Sequence, residues 1–143
     1  MNIVSLFSGG GGLDAGLSEA GLDSTIAVEV DADSCATLRS NFPNLKGLEK
    51  SVVDVTGEEI CLLTKTKNVD AIIGGPPCQS FSVFGNRLGI SDARGQLVFE
   101  FLRLVEELQP KAFIMENVRG MLSMSIVPAS SKDFDGNPEF KLK

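Results

Sequence analysis

Ile3-Val4-Ser5-Leu6-Phe7-Ser8-Gly9-Gly10-Gly11-Gly12 is the stretch that decides the fold. A short apolar run ends at a serine and four glycines, and Leu13, Leu17 and Ala20 then recur at helical spacing until Gly21. Strand, glycine turn, helix is the opening unit of an α/β domain. The unit repeats outward from there. Thr25–Val30 predicts a second strand closing on Glu29, and Asp33 predicts the cap of a helix reaching about Phe42, before Pro43 and Asn44. Leu48–Val55 reads as a third strand with Asp54 at its end, followed by a short helix over residues 57–66. Val69–Ile73 predicts a fourth strand, stopped by Gly74-Gly75-Pro76-Pro77. Residues 80–93 read as a mobile loop. Gln96–Leu108 carries Leu97, Phe101, Leu104, Val105 and Leu108 on one helical stripe, and Ala112–Met115 predicts a fifth strand with Glu116 and Asn117 at its carboxyl end. The expected architecture is α/β, a doubly wound, mostly parallel sheet whose unalternating apolar strands are buried on both faces. The ordered part is expected over residues 1–122, with 123–143 as loop or disordered tail.

Composition narrows the chemistry. The 143 residues suffice for about one domain, and 43% hydrophobic with 22% charged residues is the balance of a folded chain. With no histidine, the chain itself holds no Ser-His-Asp or Cys-His pair and no histidine-bearing metal site, and no metal is expected. Cys35, Cys61 and Cys78 show no CxxC spacing, which fits a reducing compartment rather than a disulfide scaffold. The glycines cut the first apolar run short, so neither a signal peptide nor a membrane span is expected. Thirteen basic residues against nineteen acidic ones give a net charge of -6, so DNA binding would need local basic patches or basic residues outside this chain.

The glycine loop lets backbone approach a ligand, and the helix start behind it offers unpaired N–H groups. No Lys-Ser/Thr pair follows, which excludes a Walker loop, and the glycine spacing fits a dinucleotide fingerprint poorly. Glu29, about twenty residues on, stands where an acid accepts hydrogen bonds from a ribose diol, and Asp54 could accept from an adenine amino group. Either acid could instead cap a helix or face water, while Asp31 and Asp33 read as surface or cap residues. An acidic, glycine-rich pocket suits the sulfonium of S-adenosyl-L-methionine better than a pyrophosphate, with NAD the competing ligand. Pro76-Pro77 stiffen the turn before Cys78, and Glu116 ends the neighbouring strand, so a thiol and a carboxylate could face one substrate.

Taken in order, these motifs resemble the N-terminal catalytic part of the C5-cytosine DNA methyltransferases, from about Asn2 to Leu122. Leu6-Phe7-Ser8-Gly9-Gly10-Gly11-Gly12-Leu13 resembles the family's cofactor loop, with Ser5 where an Asp usually precedes Leu-Phe. Gly75-Pro76-Pro77-Cys78-Gln79-Ser80-Phe81-Ser82 matches the nucleophile motif, Asp92-Ala93-Arg94-Gly95-Gln96-Leu97 the next element, and Glu116-Asn117-Val118 the catalytic glutamate motif.

The resemblance implies a Rossmann-like S-adenosyl-L-methionine-dependent methyltransferase fold, incomplete at its C-terminus. It implies catalytic roles for Cys78, Glu116 and Asn117, and cofactor contacts from Phe7, Gly9, Gly11, Gly12, Leu13, Glu29, Val30, Asp54, Val55, Pro76 and Leu97. Gln79, Ser82, Asn86, Arg87 and Arg94 are then expected near double-stranded DNA carrying a flipped-out cytosine. No target-recognition region follows, so the resemblance implies a fragment or one half of a split enzyme, catalytically incomplete alone, whose partner is a C-terminal segment or complementary subunit. Such an enzyme is cytoplasmic in a bacterial restriction-modification system and nuclear in a eukaryote. An inactive S-adenosyl-L-methionine-binding subunit and a Rossmann oxidoreductase are the rival expectations.

Overall fold

The computed structural model describes residues 1–77 and 97–119. The chain divides into two compact units, Met1–Pro76 with Phe99–Glu116, and Pro77–Val98 with Asn117–Lys143. The first holds the entire described sheet. Of the second, the described residues are Pro77, Leu97, Val98 and 117–119, so the expected loop over 80–93 and the tail over 123–143 lie outside the described residues.

Strand β1 (Ile3–Leu6) leads through the glycines to helix α1 (Gly12–Glu19), then β2 (Ile26–Glu29), α2 (Ala32–Asn41) and β3 (Lys46–Glu49). A single turn of 3-10 helix (Val52–Asp54) precedes α3 (Gly57–Thr64), β4 (Ala71–Gly74), α4 (Leu97–Leu108) and β5 (Ala112–Met115). The five strands form one parallel sheet in the order β3-β2-β1-β4-β5. Alternation sorts the two faces. Val4, Leu6, Ile26, Val28 and Ile72 join Val52, Val55 and Ile60 and the α4 residues Phe101, Leu104 and Leu108 in one buried cluster. Phe101 is fully buried, which is worth about 1.5–3 kcal/mol for a side chain of this size. The opposite face carries the buried Ile3, Ser5, Ala27 and Ile73, with Ser5 bonded to Asp14 of α1. Helices thus cover both faces, as a parallel sheet requires.

Three local readings are corrected. The third strand ends at Glu49, not at Asp54, because Ser51 caps a 3-10 turn through its side chain (Val53 N–H, 3.4 Å) and its carbonyl accepts from Asp54 N at 3.0 Å. Helix α2 is capped by Asp31, whose carboxylate accepts from Ser34 N at 2.8 Å, so Asp33 lies in its first turn. Burial on both faces holds for β1 and nearly so for β2, but not for β5, where Phe113 and Ile114 are each 50% exposed. As the last strand in the described sheet, β5 has a neighbour on only one side.

Two ion-paired carboxylates, one beside the strand ends and one on α4, tie neighbouring segments together. Asp70 accepts from Lys111 Nζ (2.6 Å) and from Asn2 N (2.8 Å), and these bonds hold its carboxyl below the usual range. The Gly57 N–H and the Arg103 guanidinium do the same for Glu107. A carboxylate whose pKa is lowered on folding contributes stability that is complete above its unfolded pKa and is lost as the pH falls through the folded one. Stability is therefore expected to hold from neutral pH down to the ordinary carboxylate range, about pH 4, and to decline below it. Urea midpoints measured across that range check this, and Asp70→Asn should flatten part of the decline.

Candidate cofactor and catalytic site

The register pairs Leu6 with Val28 on one side and Gly74 on the other, and Gly74 with Met115. The chain therefore leaves β1 at Phe7, β2 at Val30, β4 at Gly75 and β5 at Glu116, all along one edge. The connection order reverses between β1 and β4, and in open α/β sheets ligands bind in the crevice at that point.

The loop after β1 is built by its backbone. Phe7, Gly9 and Gly11 all take positive φ, at 54°, 53° and 86°. At Gly11 a Cβ would lie 2.6 Å from the Phe42 ring and 2.9 Å from Leu38, so α2 seats directly against the loop. At Gly9 and Gly12 a Cβ would meet nothing within 4 Å among the described residues, which leave the backbone uncovered there. Among the described residues no side chain caps α1, whose first-turn N–H groups, including that of Leu13, are suited to an anion.

Glu29 fixes this loop to β2. Its Oε2 accepts from Gly9 N at 2.7 Å, and Oε1 accepts from Val30 N at 2.8 Å and Asp31 N at 2.9 Å. An ionised carboxylate has about four acceptor positions, and the described residues fill three of them. Val30, 66% exposed, lies beside it. Beneath the loop a second chain of bonds runs through Ser5, Ser8 and Asp14, and of the three only Ser5 stands out in the sequence. Ser5 Oγ donates to Asp14 Oδ2 at 2.9 Å, and Ser8 Oγ donates to Ser5 Oγ at 2.9 Å. Asp14 is the one buried residue of α1, while Leu13 and Leu17 are only partly covered. A carboxylate thus enters from the helix at the strand position where Ser5 stands. Ser5→Ala would leave buried Asp14 without that donor, and the expected loss is about 1–3 kcal/mol, read as a lower urea midpoint with unchanged slope.

The turn after β3 exposes Asp54 and Val53, whereas Val55 is 1% exposed and belongs to the core. At the other end of the edge, Glu116 N donates to Gly74 O at 2.9 Å, and a Cβ on Gly75 would lie 3.2 Å from Glu116 Oε2. The absence of a side chain at Gly75 lets the exposed Glu116 carboxylate lie across the end of β4. Pro76 is buried in the same unit. In the second unit, Leu97 begins α4 and Asn117 Oδ1 accepts from Val118 N at 2.9 Å. Cys78, Gln79, Ser82, Asn86, Arg87 and Arg94 lie outside the described residues.

These groups suit S-adenosyl-L-methionine in kind: carboxylates for a ribose diol and an amino group, backbone donors for a carboxylate, and glycine backbone that the described residues leave uncovered. The sheet order with its ligand edge defines a Rossmann-like methyltransferase fold. The model of the C-5 cytosine-specific DNA methylases matches residues 1–129, and the chain belongs to that family. It is 48% identical over 125 residues to the type II methyltransferase M.AquIA of Picosynechococcus, covering 86% of this chain and 50% of that protein. It is 45% identical to M.NgoPII of Neisseria gonorrhoeae, covering 86% of this chain and 35% of that one. Among solved structures, an Escherichia coli prophage protein described as a DNA modification methyltransferase superposes with a TM-score of 0.72 at 38% identity, over 95% of this chain and 35% of its own. A DNMT2 variant of Spodoptera frugiperda gives a TM-score of 0.62 at 28% identity, over 85% of this chain and 37% of its own. The chain spans half or less of the length of these curated relatives.

Proposed function

We propose that this chain forms the cofactor-binding and nucleophile-bearing part of a DNA (cytosine-5-)-methyltransferase acting on double-stranded DNA. The observation that carries the reading is the Glu116 carboxylate lying over Gly75, which in sequence opens the Gly75-Pro76-Pro77-Cys78 motif.

When bound, S-adenosyl-L-methionine supplies an electrophilic methyl group. Glu29 would hold its ribose, Asp54 its adenine amino group, and the α1 N-terminus its carboxylate, with Phe7, Gly9, Gly11, Gly12, Leu13 and Val30 shaping the walls. C5 of cytosine is a weak nucleophile, and the protein's task is to enrich it. The Cys78 thiolate adds to C6 of the base, forming a C–S bond and pushing electron density toward C5. Glu116 holds the proton at N3 that stabilises the enamine-like form, with Asn117 beside it in the motif. After methylation, loss of the C5 proton returns the electron pair, breaks the C–S bond and releases Cys78. C6 is out of reach within a duplex, so the cytosine is flipped out, with Gln79, Ser82, Asn86, Arg87 and Arg94 on the DNA side.

β5 is the last strand of the described sheet, and its Phe113 and Ile114, on opposite faces, are half-exposed, which supports a further reading. This edge is where a C-terminal segment or complementary subunit carrying target recognition extends the sheet. Type II methyltransferase relatives favour a restriction-modification setting in bacteria.

Isothermal titration of the full chain with S-adenosyl-L-methionine, with NAD as comparison, tests the cofactor assignment. Selective heat with the former is expected, and its loss in Glu29→Ala. Binding of NAD alone would overturn the reading.

A further inference from the structure

Arg103, in the middle of α4, donates to four acceptors. Its Nε meets Glu100 Oε2 at 2.7 Å and its Nη1 meets Glu107 Oε1 at 2.6 Å. Nη2 reaches two backbone carbonyls, Val52 O and Val55 O, both at 3.0 Å. Glu107 Oε2 accepts from Gly57 N at 2.6 Å. One helix thus grips both ends of the 3-10 turn and the first amide of α3.

The turn needs this grip. Its own bonds are Val53 N to Ser51 Oγ at 3.4 Å, Asp54 N to Ser51 O at 3.0 Å and Val55 N to Val52 O at 3.3 Å, two of them long. A lone 3-10 turn has poor hydrogen-bond geometry and little cooperativity to sustain it. Val52 and Val55 anchor it inward at 3% and 1% exposure, while Val53 and Asp54 face out. Two inward anchors and a guanidinium on the flanking carbonyls fix the backbone that carries Asp54.

We infer that Arg103, oriented by Glu100 and Glu107, is a positioning residue that fixes Asp54 for recognition of the cofactor's adenine, from the side of the turn opposite the ligand. The proposal rests on the reading of Asp54 as the adenine-facing acid. Guanidinium geometry is required, because one nitrogen bridges two carbonyls while the others hold two carboxylates.

The test has two arms on the full chain. Native-state hydrogen exchange is compared in the parent, Arg103→Met and Arg103→Lys. Losing charge-assisted bonds is expected to speed exchange at Asp54, Val55 and Gly57 by about tenfold or more, with β1 and β4 amides unchanged. Unaltered exchange at the turn overturns the proposal, as does a uniform rise across the sheet, which marks general destabilisation. The second arm measures affinity for S-adenosylhomocysteine against S-inosylhomocysteine, which replaces the exocyclic amine by a carbonyl. Asp54→Ala is expected to abolish the preference for adenine, Arg103→Met to reduce it, and the double variant to lose no more than Asp54→Ala alone. A preference unchanged in Asp54→Ala removes the adenine role and leaves Arg103 as a clamp without a specificity function, overturning the inference at that step. A preference lost in Asp54→Ala but kept in Arg103→Met overturns the role of Arg103 itself.

Discussion

Gly74→Ala is expected to destabilise the native sheet severely. Gly74 pairs in register with Leu6 at the centre of the fold, and a Cβ there would stand 2.3 Å from Leu6 O, 3.1 Å from Leu6 C and 3.2 Å from the Phe101 ring. The first two atoms are backbone of the adjoining strand and have no rotamer by which to withdraw, and Phe101 is fully buried. Relief requires β1 and β4 to part at the edge that carries the candidate site. Overpacking of this kind costs about 3 kcal/mol or more, a large part of a small domain's stability. Soluble yield and thermal unfolding followed by circular dichroism read the effect, with a fall of about 10 °C or more expected. Gly16→Ala is the control. A Cβ meets nothing within 4 Å there among the described residues, and alanine inside α1 is expected to be neutral or to stabilise by up to about 1 kcal/mol. A Gly74→Ala chain melting with the parent would show that the two strands can separate freely.

Cys78→Ser is expected to bring methyl transfer below detection while sparing affinity for S-adenosyl-L-methionine. A thiol is a few per cent thiolate at neutral pH, whereas a serine hydroxyl needs a base to attack, and the chain contains no histidine to serve. Because the chain spans half or less of its relatives, the assay belongs in the complete or complemented enzyme. A DNA duplex bearing 5-fluorocytosine supplies the second readout, since fluorine cannot leave as the C5 proton does and the adduct is trapped. The parent should give a denaturation-resistant complex and Cys78→Ser none. Substantial turnover in the variant would remove Cys78 as nucleophile.

The strand-and-helix order was readable because central parallel strands bury both faces and so appear as unbroken apolar runs. Glu29 was legible for the same reason: it ends such a run at a fixed distance from the glycines. Asp54 was misplaced because Leu48–Val55 is rich in β-branched residues. What bends it is a serine cap inside the run and an arginine that stands 48 residues beyond Val55. Arg103 itself reads as an exposed helix charge with partners at i−3 and i+4, and nothing nearby signals the carbonyls it reaches. Asp14 escaped because it looks like a first-turn acid at a helix start, and its burial depends on Ser5, across the glycine loop. Short-range pattern thus gave the frame, while side chains working across segments were hidden.

The central position of β1 also bears on how the chain is made. On one side β1 meets β2, with Ile3 N bonded to Thr25 Oγ1 across 22 residues. On the other it waits for β4, with Asn2 N bonded to Asp70 across 68 residues. Closing the longer loop costs about 1 kcal/mol more in chain entropy than closing the shorter one. During synthesis the first strand emerges early and remains open along one side until the fourth has left the ribosome. At about 5–20 residues per second that is an interval of several seconds with an apolar strand edge uncovered. Newly made chain is therefore most in need of a chaperone's shelter before β4 arrives, and slower, cooler expression should raise the soluble fraction by thinning the crowd of half-made neighbours.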